Sequence, residues 1–199
     1  MSPLRALSRL RPVLESRPGK TLPGADPRLP DRKQAAVAAI LRDSPGGVEV
    51  LLIRRAEHER DPWSGHMALP GGRHDPTDRD LLHTALRETH EELGLSLDSQ
   101  HLIGPLDDLE AVARGRRTGM VIRPYVFHWA EPEPPRLHPN HEVAEALWAP
   151  LVPIHEGRWD THRPYDMGGQ TWKLPAWDVH GRVVWGLTHR ILSDLLGRV

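Results

Sequence analysis

Apolar residues recur at helical spacing in the middle of the chain and near both ends. Residues 3–15 carry leucines three or four positions apart, which predicts a short helix interrupted by Pro12. Residues 187–196 predict another amphipathic helix. The central pattern predicts a helix that begins near residues 78–80, where acidic side chains can cap free amides, and ends at Gly94. The predicted buried face of that helix consists of Leu82, Ala85, Leu86, Thr89 and Leu93.

Short continuous apolar runs predict strands on both sides of the central helix. Two runs flank a turn sequence at 44–47 and predict a hairpin. Pro124 lies inside a later run and predicts an edge strand or a bulge there, whereas residues 155–169 show no regular pattern. The predicted strands cover residues 35–41, 48–53, 102–106 and 120–129, with a hairpin over 172–184. This order favours an α/β fold with a mixed sheet covered on both faces.

Composition limits the classes of protein to consider. The chain has 199 residues, enough for one domain with a substantial core, and a formal net charge of −1. A charge so close to zero favours neither nucleic acid nor a membrane surface as a partner. The absence of cysteine excludes disulfides, thiolate catalysis and cysteine-based zinc sites. No apolar run reaches about 18 residues, and the first residues lack a signal-peptide core, so we expect a cytoplasmic protein.

The candidate chemistry is concentrated on one flank of the central helix. Glu88, Glu91 and Glu92 fall within about 100° of arc, where their carboxylates repel one another. A divalent cation would relieve this repulsion, because Mg²⁺ prefers oxygen ligands. Arg87 lies four residues before Glu91 and can orient it, and the backbone at Gly72 can offer a carbonyl ligand. Taken alone, such a cluster can also be a solvated acidic face.

Further candidate side chains lie outside this helix. Arg55 and Arg60 precede the glycine loop and suit phosphate oxygens, although exposed arginines are common. Glu142 and Glu145 can approach the acid cluster from a loop and serve as a base or as an extra metal ligand, or they can lie on an ordinary surface. The 13 histidines include no HExxH spacing, so no histidine-based zinc motif is present.

The longest ordered pattern runs from Gly72 through Asp78 to the segment RETHEELGL at 87–95. It resembles the Nudix box, whose second half reads R-E-U-x-E-E-x-G-U, where U is an apolar residue. Thr89 stands at an apolar position, Asp78 replaces a glutamate, and the interval from Asp78 to Arg87 is one residue longer than usual. On this resemblance the chain is identified as a member of the Nudix hydrolase superfamily.

The Nudix resemblance implies a fold, a reaction and a set of site residues. It implies an α/β/α sandwich with a central mixed sheet over residues 35–199. The box says nothing about residues 1–34, which we predict to be an N-terminal extension with a short helix. It implies hydrolysis of a nucleoside diphosphate linked to another group, with Mg²⁺ or Mn²⁺ as the cofactor and a small molecule as the partner. A homodimer is a common arrangement in the superfamily. The implied metal ligands are Gly72, Glu88, Glu91 and Glu92, with Arg87 as an orienting residue. Glu88 and Glu91 are also candidates for the base within the box.

Segments outside the box resemble the coenzyme A pyrophosphatase subgroup. The similar residues are 51–56, Arg60, Gly65, 69–72, 106–108 and 185–191. This resemblance implies cleavage of coenzyme A or an acyl-CoA to 3′,5′-ADP and (acyl-)4′-phosphopantetheine. Ile53, Ala56 and Leu69 depart from the subgroup, so ADP-ribose, nucleotide-sugar and (d)NTP pyrophosphatases are alternatives. A non-catalytic nucleotide-binding module and a structural partner protein are alternatives of another class, and both predict no metal-dependent turnover.

Overall fold

The protein combines one large mixed sheet, one small sheet and helices on both faces of the large sheet. The structure is a computed structural model that describes residues 3–22, 33–59, 63–113 and 115–199. The helices are a 3₁₀ turn at Pro3–Arg5, α1 Leu7–Ser16, α2 Leu81–Leu93, α3 Leu151–His155 and α4 Gly186–Leu196. The strands are β1 Gln34–Ser44, β2 Gly47–Arg55, β3 Met67–Ala68, β4 Gly71–Arg73, β5 Leu102–Pro105, β6 Leu109–Ala113, β7 Arg116–Trp129, β8 Val143–Pro150, β9 Asp160–Met167, β10 Gln170–Val179 and β11 Arg182–Trp185. Within these described ranges, no helix is both long and apolar enough to cross a bilayer.

The large sheet opens at the glycine loop. β1 pairs antiparallel with β2 and parallel with β7, while β5 and β6 extend the sheet beyond β7 and β8 extends it beyond β2. The first half of β1 and the last residues of β2 do not pair with each other. Instead, β4 pairs with residues 35–37 of β1, and β3 pairs with residues 53–54 of β2. The loop that carries Gly71 and Gly72 therefore lies where the sheet divides.

Helices cover both faces of this sheet, which confirms the predicted α/β/α sandwich. Neighbouring residues of a strand point to opposite faces. Leu51 accordingly belongs to the apolar cluster beneath α2, whereas Leu52 belongs to the cluster beneath α1 and α4. Among the described residues, α2 is thus the only helix in its layer of the sandwich.

The N-terminal extension packs directly on the sheet. Leu4, Leu7, Leu10 and Leu14 are buried in the same apolar cluster as Leu52, and Pro12 lies inside α1. After α1, the Lys20 N–H donates to Asp107 and the Leu22 N–H donates to Asp108, each at 2.8 Å. The predicted short helix is therefore confirmed. The domain boundary at residue 34 stays a prediction.

Local signals account for both ends of α2. The Asp80 side chain accepts from the His83 N–H at 2.7 Å, and Gly94 ends the helix with φ 64° and an N–H bonded to the His90 carbonyl. The predicted start and end are confirmed. The buried face is rotated from its predicted position, because Leu82 and Leu86 are only half-buried. The buried residues are Leu81, Thr84, Ala85, Thr89, Glu92 and Leu93.

Two predictions from the strand pattern were wrong. Residues 160–167 form β9, which pairs with β10 along its whole length, although its sequence shows no regular alternation. Both faces of that ribbon are largely exposed, so no apolar period marks it. Pro124 lies in β7, which is an inner strand with β1 on one side and β5 and β6 on the other. The break between β5 and β6 lies opposite Pro124. Its missing N–H is tolerated because the ladder is interrupted there.

Candidate active site

Glu92 is a buried carboxylate at the opening of the sheet. It is 2% exposed, and its Oε2 accepts a 2.8 Å hydrogen bond from the Gly71 N–H. Arg55 Nη1 lies 3.9 Å from the other carboxylate oxygen. Burial outweighs these two contacts and raises the pKa of Glu92 to about 7. A carboxyl group held in this way would gain from a nearby cation.

Glu88 packs against the glycine loop one turn earlier in α2. A Cβ added to Gly72 would overlap the Glu88 carboxyl group, and one added to Gly71, which has φ 144°, would overlap the Ala36 carbonyl. Burial raises the pKa of Glu88, and Arg87 opposes that effect. The two glycines are therefore needed for the helix and the loop to approach this closely.

Arg87 connects the acids to one another. Its Nη1 donates to Glu88 Oε1 at 2.9 Å and to Glu91 Oε2 at 3.0 Å. Its Nη2 also donates to the Arg73 carbonyl at 3.1 Å. The predicted contact with Glu91 is thus present, and the same guanidinium holds Glu88 as well.

Asp78 anchors Arg87 from the turn before α2. It accepts from Arg87 Nε and Nη2, both at 2.9 Å, from His83 Nδ1 at 2.9 Å and from the Thr84 hydroxyl at 2.8 Å. Burial alone would raise its pKa, but the hydrogen bonds from Arg87, Asp75, Thr84 and His83 hold the pKa of Asp78 well below its usual range. The sequence pattern placed Asp78 among the candidate helix caps and predicted no contact with Arg87. A usable signal was present, because helical side chains lean toward the N-terminus and a long arginine can reach the preceding turn.

Comparisons with known proteins agree with this geometry. The family model of the NUDIX domain matches residues 32–166, which span the opened sheet and the acidic helix. The chain belongs to the NUDIX family. It is therefore a Nudix hydrolase, as the sequence resemblance implied.

Similar Nudix proteins include one with a named substrate. The human mitochondrial coenzyme A diphosphatase NUDT8 is 33% identical over 178 residues, which cover 87% of this chain and 73% of that protein. The uncharacterized Nudix hydrolase NudL of Enterobacter is 34% identical over 171 residues, which cover 83% of this chain and 82% of that protein.

Solved Nudix structures share the fold. A MutT/nudix family protein from Enterococcus faecalis superposes with a TM-score of 0.59 and 18% identity, covering 85% of this chain and 62% of that chain. A bifunctional NMN adenylyltransferase/ADP-ribose pyrophosphatase from Francisella tularensis, complexed with AMP and a manganese ion, superposes with a TM-score of 0.57 and 15% identity. The match covers 85% of this chain and 43% of that chain. At these identities the likeness concerns the fold alone.

The Nudix site has the donor chemistry of a hard-cation site. Its acids are Glu88, Glu91 and Glu92, the first two joined by Arg87, and the Gly72 backbone lies against Glu88. All of these donors are oxygens, which suits Mg²⁺ or Mn²⁺. In the part of the chain that the structure describes, no three acidic, histidine or cysteine side chains already form a cage for an ion. Arg87 Nη1 bonds both Glu88 and Glu91 instead.

The remaining predicted residues separate into two groups. The charge of Glu142 raises the pKa of both Glu88 and Glu92, so Glu142 lies beside the acid cluster. Glu145 instead forms ion pairs with Arg54 and Arg182, on the other face of β2. Arg55 reaches Glu92, whereas Arg60 lies outside the described residues.

Proposed function

We propose that this Nudix hydrolase cleaves the diphosphate of a nucleoside-diphosphate derivative, with coenzyme A or an acyl-CoA as its substrate. The products would be 3′,5′-ADP and (acyl-)4′-phosphopantetheine. The observation that carries the proposal is Glu92, a buried carboxyl group between the Gly71 N–H and Arg55. The hydrogen bond and the charge around Glu92 do not offset the cost of burying its ionised form. A cation bound beside Glu92 would offset that cost and could also hold a diphosphate.

The cofactor in this proposal is Mg²⁺ or Mn²⁺. Its ligands would be Glu88, Glu91, Glu92 and the Gly72 carbonyl. When bound, such an ion neutralises phosphate oxygens and acidifies water.

Protein groups around the acids supply orientation and proton transfer. Arg87 holds Glu88 and Glu91 in one arrangement through its Nη1. Arg55 presents a half-buried guanidinium to a diphosphate oxygen, and Arg60 is proposed for the same task. Glu142 is the proposed base or additional ligand, because its charge already acts on both buried acids.

Coenzyme A is supported by the relatives and by residues outside the box. NUDT8 of human and of mouse, 33% and 32% identical to this chain, are both named coenzyme A diphosphatases. The segments 51–56 and 185–191 resemble that subgroup. We propose a cytoplasmic location, a small-molecule partner without nucleic acid or membrane binding, and a homodimer, which light scattering of the pure protein would test. NUDT8 is named as mitochondrial, so fractionation of cells should accompany this proposal.

A substrate panel tests the reaction. Purified protein with Mg²⁺ or Mn²⁺ would be given coenzyme A, ADP-ribose, NADH, UDP-sugars and dNTPs, and the products would be separated and quantified by liquid chromatography. Coenzyme A should be hydrolysed with the highest kcat/KM. Glu92→Gln should lower kcat by roughly 100-fold, while the exposed control Glu133→Gln should not change it. No turnover of any compound by folded protein would favour the non-catalytic alternative.

A further inference from the structure

A cavity lies on the other face of β2, away from the acidic helix. Its volume is about 250 Å³, and it lies between β3 and the hairpin of β10 and β11. Its lining includes Arg54, His66, Arg163, Arg182 and Trp185. We name it the arginine cavity. None of its residues has a role in the proposed hydrolysis.

The arginine cavity carries excess positive charge. Glu145 is shared by two of its guanidinium groups, at 3.5 Å from Arg54 and in direct contact with Arg182. Arg163 has no carboxylate within ion-pair distance among the described residues, and its guanidinium lies 5.7 Å from the Trp185 ring. The Glu57 carboxylate also lies near the lining residue Gly65, about 4.0 Å from the position of an added Cβ, so among the described residues three guanidinium groups and two carboxylates leave one positive charge. The buried Nε of Arg182 also lacks an acceptor in the described part of the chain.

Trp185 gives the cavity a flat apolar wall. Its ring is half-buried and is steadied by His66 at 4.8 Å and Tyr165 at 5.6 Å between ring centroids. The next residue, Gly186, begins α4, whose first N–H groups favour negative charge. Arginines beside an aromatic side chain can bind a phosphate or carboxylate whose molecule also carries a planar ring.

The cavity is close in sequence and space to the candidate active site. Arg54 and Arg55 are consecutive on β2, and the pairing of β2 with β8 shifts register between them. Arg55 reaches Glu92, whereas Arg54 faces the cavity. A long substrate whose diphosphate lies at Glu92 can place a second anionic group around the end of β2.

We propose that the arginine cavity binds a phosphate monoester, with the adjoining ring system against Trp185. The monoester favoured by this placement is the ribose phosphate that distinguishes coenzyme A from dephospho-coenzyme A. This assignment rests on the proposed function. A free mononucleotide offers the same chemistry, and the two sources are separated by the experiment.

The kinetic test compares two substrates in Arg163→Gln. Arg163 is exposed, so the fold should tolerate the change. KM for coenzyme A should rise about tenfold, the usual effect of losing a hydrogen bond to a charged group. KM for dephospho-coenzyme A and both kcat values should stay within about twofold. Arg117→Gln, at an exposed arginine of the β7 end, is the matched control.

The binding test needs no turnover. Adenosine 3′-monophosphate and adenosine are titrated into the protein in EDTA and followed by calorimetry. If the monophosphate binds and adenosine does not, and Arg163→Gln weakens that binding about tenfold, the cavity binds a phosphate monoester as proposed. If the substrate KM values are unchanged in the same variant, the monoester is that of a free nucleotide and not that of coenzyme A. If the variant alters neither the binding nor the KM ratio, the inference is wrong. Hydrolysis of coenzyme A would in that case still support the proposed function, and lost hydrolysis with intact monophosphate binding would reject only the proposed function.

Discussion

Arg87 and Asp78 form a two-pronged ion pair across nine residues of sequence. Arg87 Nε and Nη2 each bond one oxygen of the Asp78 carboxylate at 2.9 Å. That carboxylate is fully buried, so its orientation is set by the fold. The remaining nitrogen, Nη1, is thereby aimed at Glu88 and Glu91. The orientation of two candidate metal ligands therefore depends on an acid that is not itself a ligand.

Asp78→Asn should lower kcat about 10- to 100-fold, because Arg87 would lose its charged anchor and release the acids. It should also destabilise the fold by about 2 kcal/mol. Steady-state kinetics and urea unfolding of the same preparation check both effects. Asp98→Asn, at an exposed aspartate, is the control. A folded Asp78→Asn protein with wild-type kcat would show that Asp78 does not position the site.

Thr89→Val should stabilise the protein by about 1 kcal/mol. The Thr89 hydroxyl is buried and has no hydrogen-bond partner in the described residues, so an apolar group of the same shape removes a desolvation cost. Thr84→Val is the matched control on the same helix. Its hydroxyl donates to Asp78, so that change should destabilise by about 1–3 kcal/mol. Thermal unfolding should move the two melting temperatures in opposite directions, and equal shifts would contradict the prediction.

Metal-free protein should lose stability as the pH rises toward 8. The pKa of Glu92 is about 7 in the fold, against an ordinary value of 4.5, so folding favours the protonated form. The stabilisation is present in full below pH 4.5 and is lost as the pH rises through 7. Glu92→Gln in EDTA should therefore be more stable than wild type at pH 8 by roughly 3 kcal/mol, with little difference at pH 4.

Mg²⁺ should reverse that order at pH 8. An ion bound to ionised Glu92 stabilises the folded wild type by mass action and should stabilise Glu92→Gln much less. Urea unfolding with and without Mg²⁺ measures both responses, with Glu133→Gln as the control. Identical Mg²⁺ responses in the two proteins would remove Glu92 from the metal site.

Gly72→Ala should lower kcat about 10- to 100-fold, because the new methyl group displaces the Glu88 carboxylate. Gly104→Ala is a clean comparison, since nothing lies within 4 Å of a Cβ at that position in β5. It should leave both activity and stability unchanged. Full activity in Gly72→Ala would mean that Glu88 is free to move without consequence.

The bounds of α2 could be predicted from the sequence because they depend on local interactions. Asp80 and Gly94 act through backbone groups within one helical turn, and Arg87 reaches Glu91 at the four-residue spacing that any helix imposes. The Nudix box lies in the same short segment and is contiguous along the chain, so its pattern is complete in the sequence.

Tertiary structure decided which of those acids are buried and what holds them. Glu92 is enclosed by a loop 21 residues earlier, while the charge of Glu142 acts on Glu92 and Glu145 pairs with Arg54 instead. β9 exists because β10 supplies its hydrogen bonds. Helix ends and helical neighbours follow from backbone chemistry over a few residues. Burial, desolvated charge and strand pairing depend on partners that only the folded chain brings together.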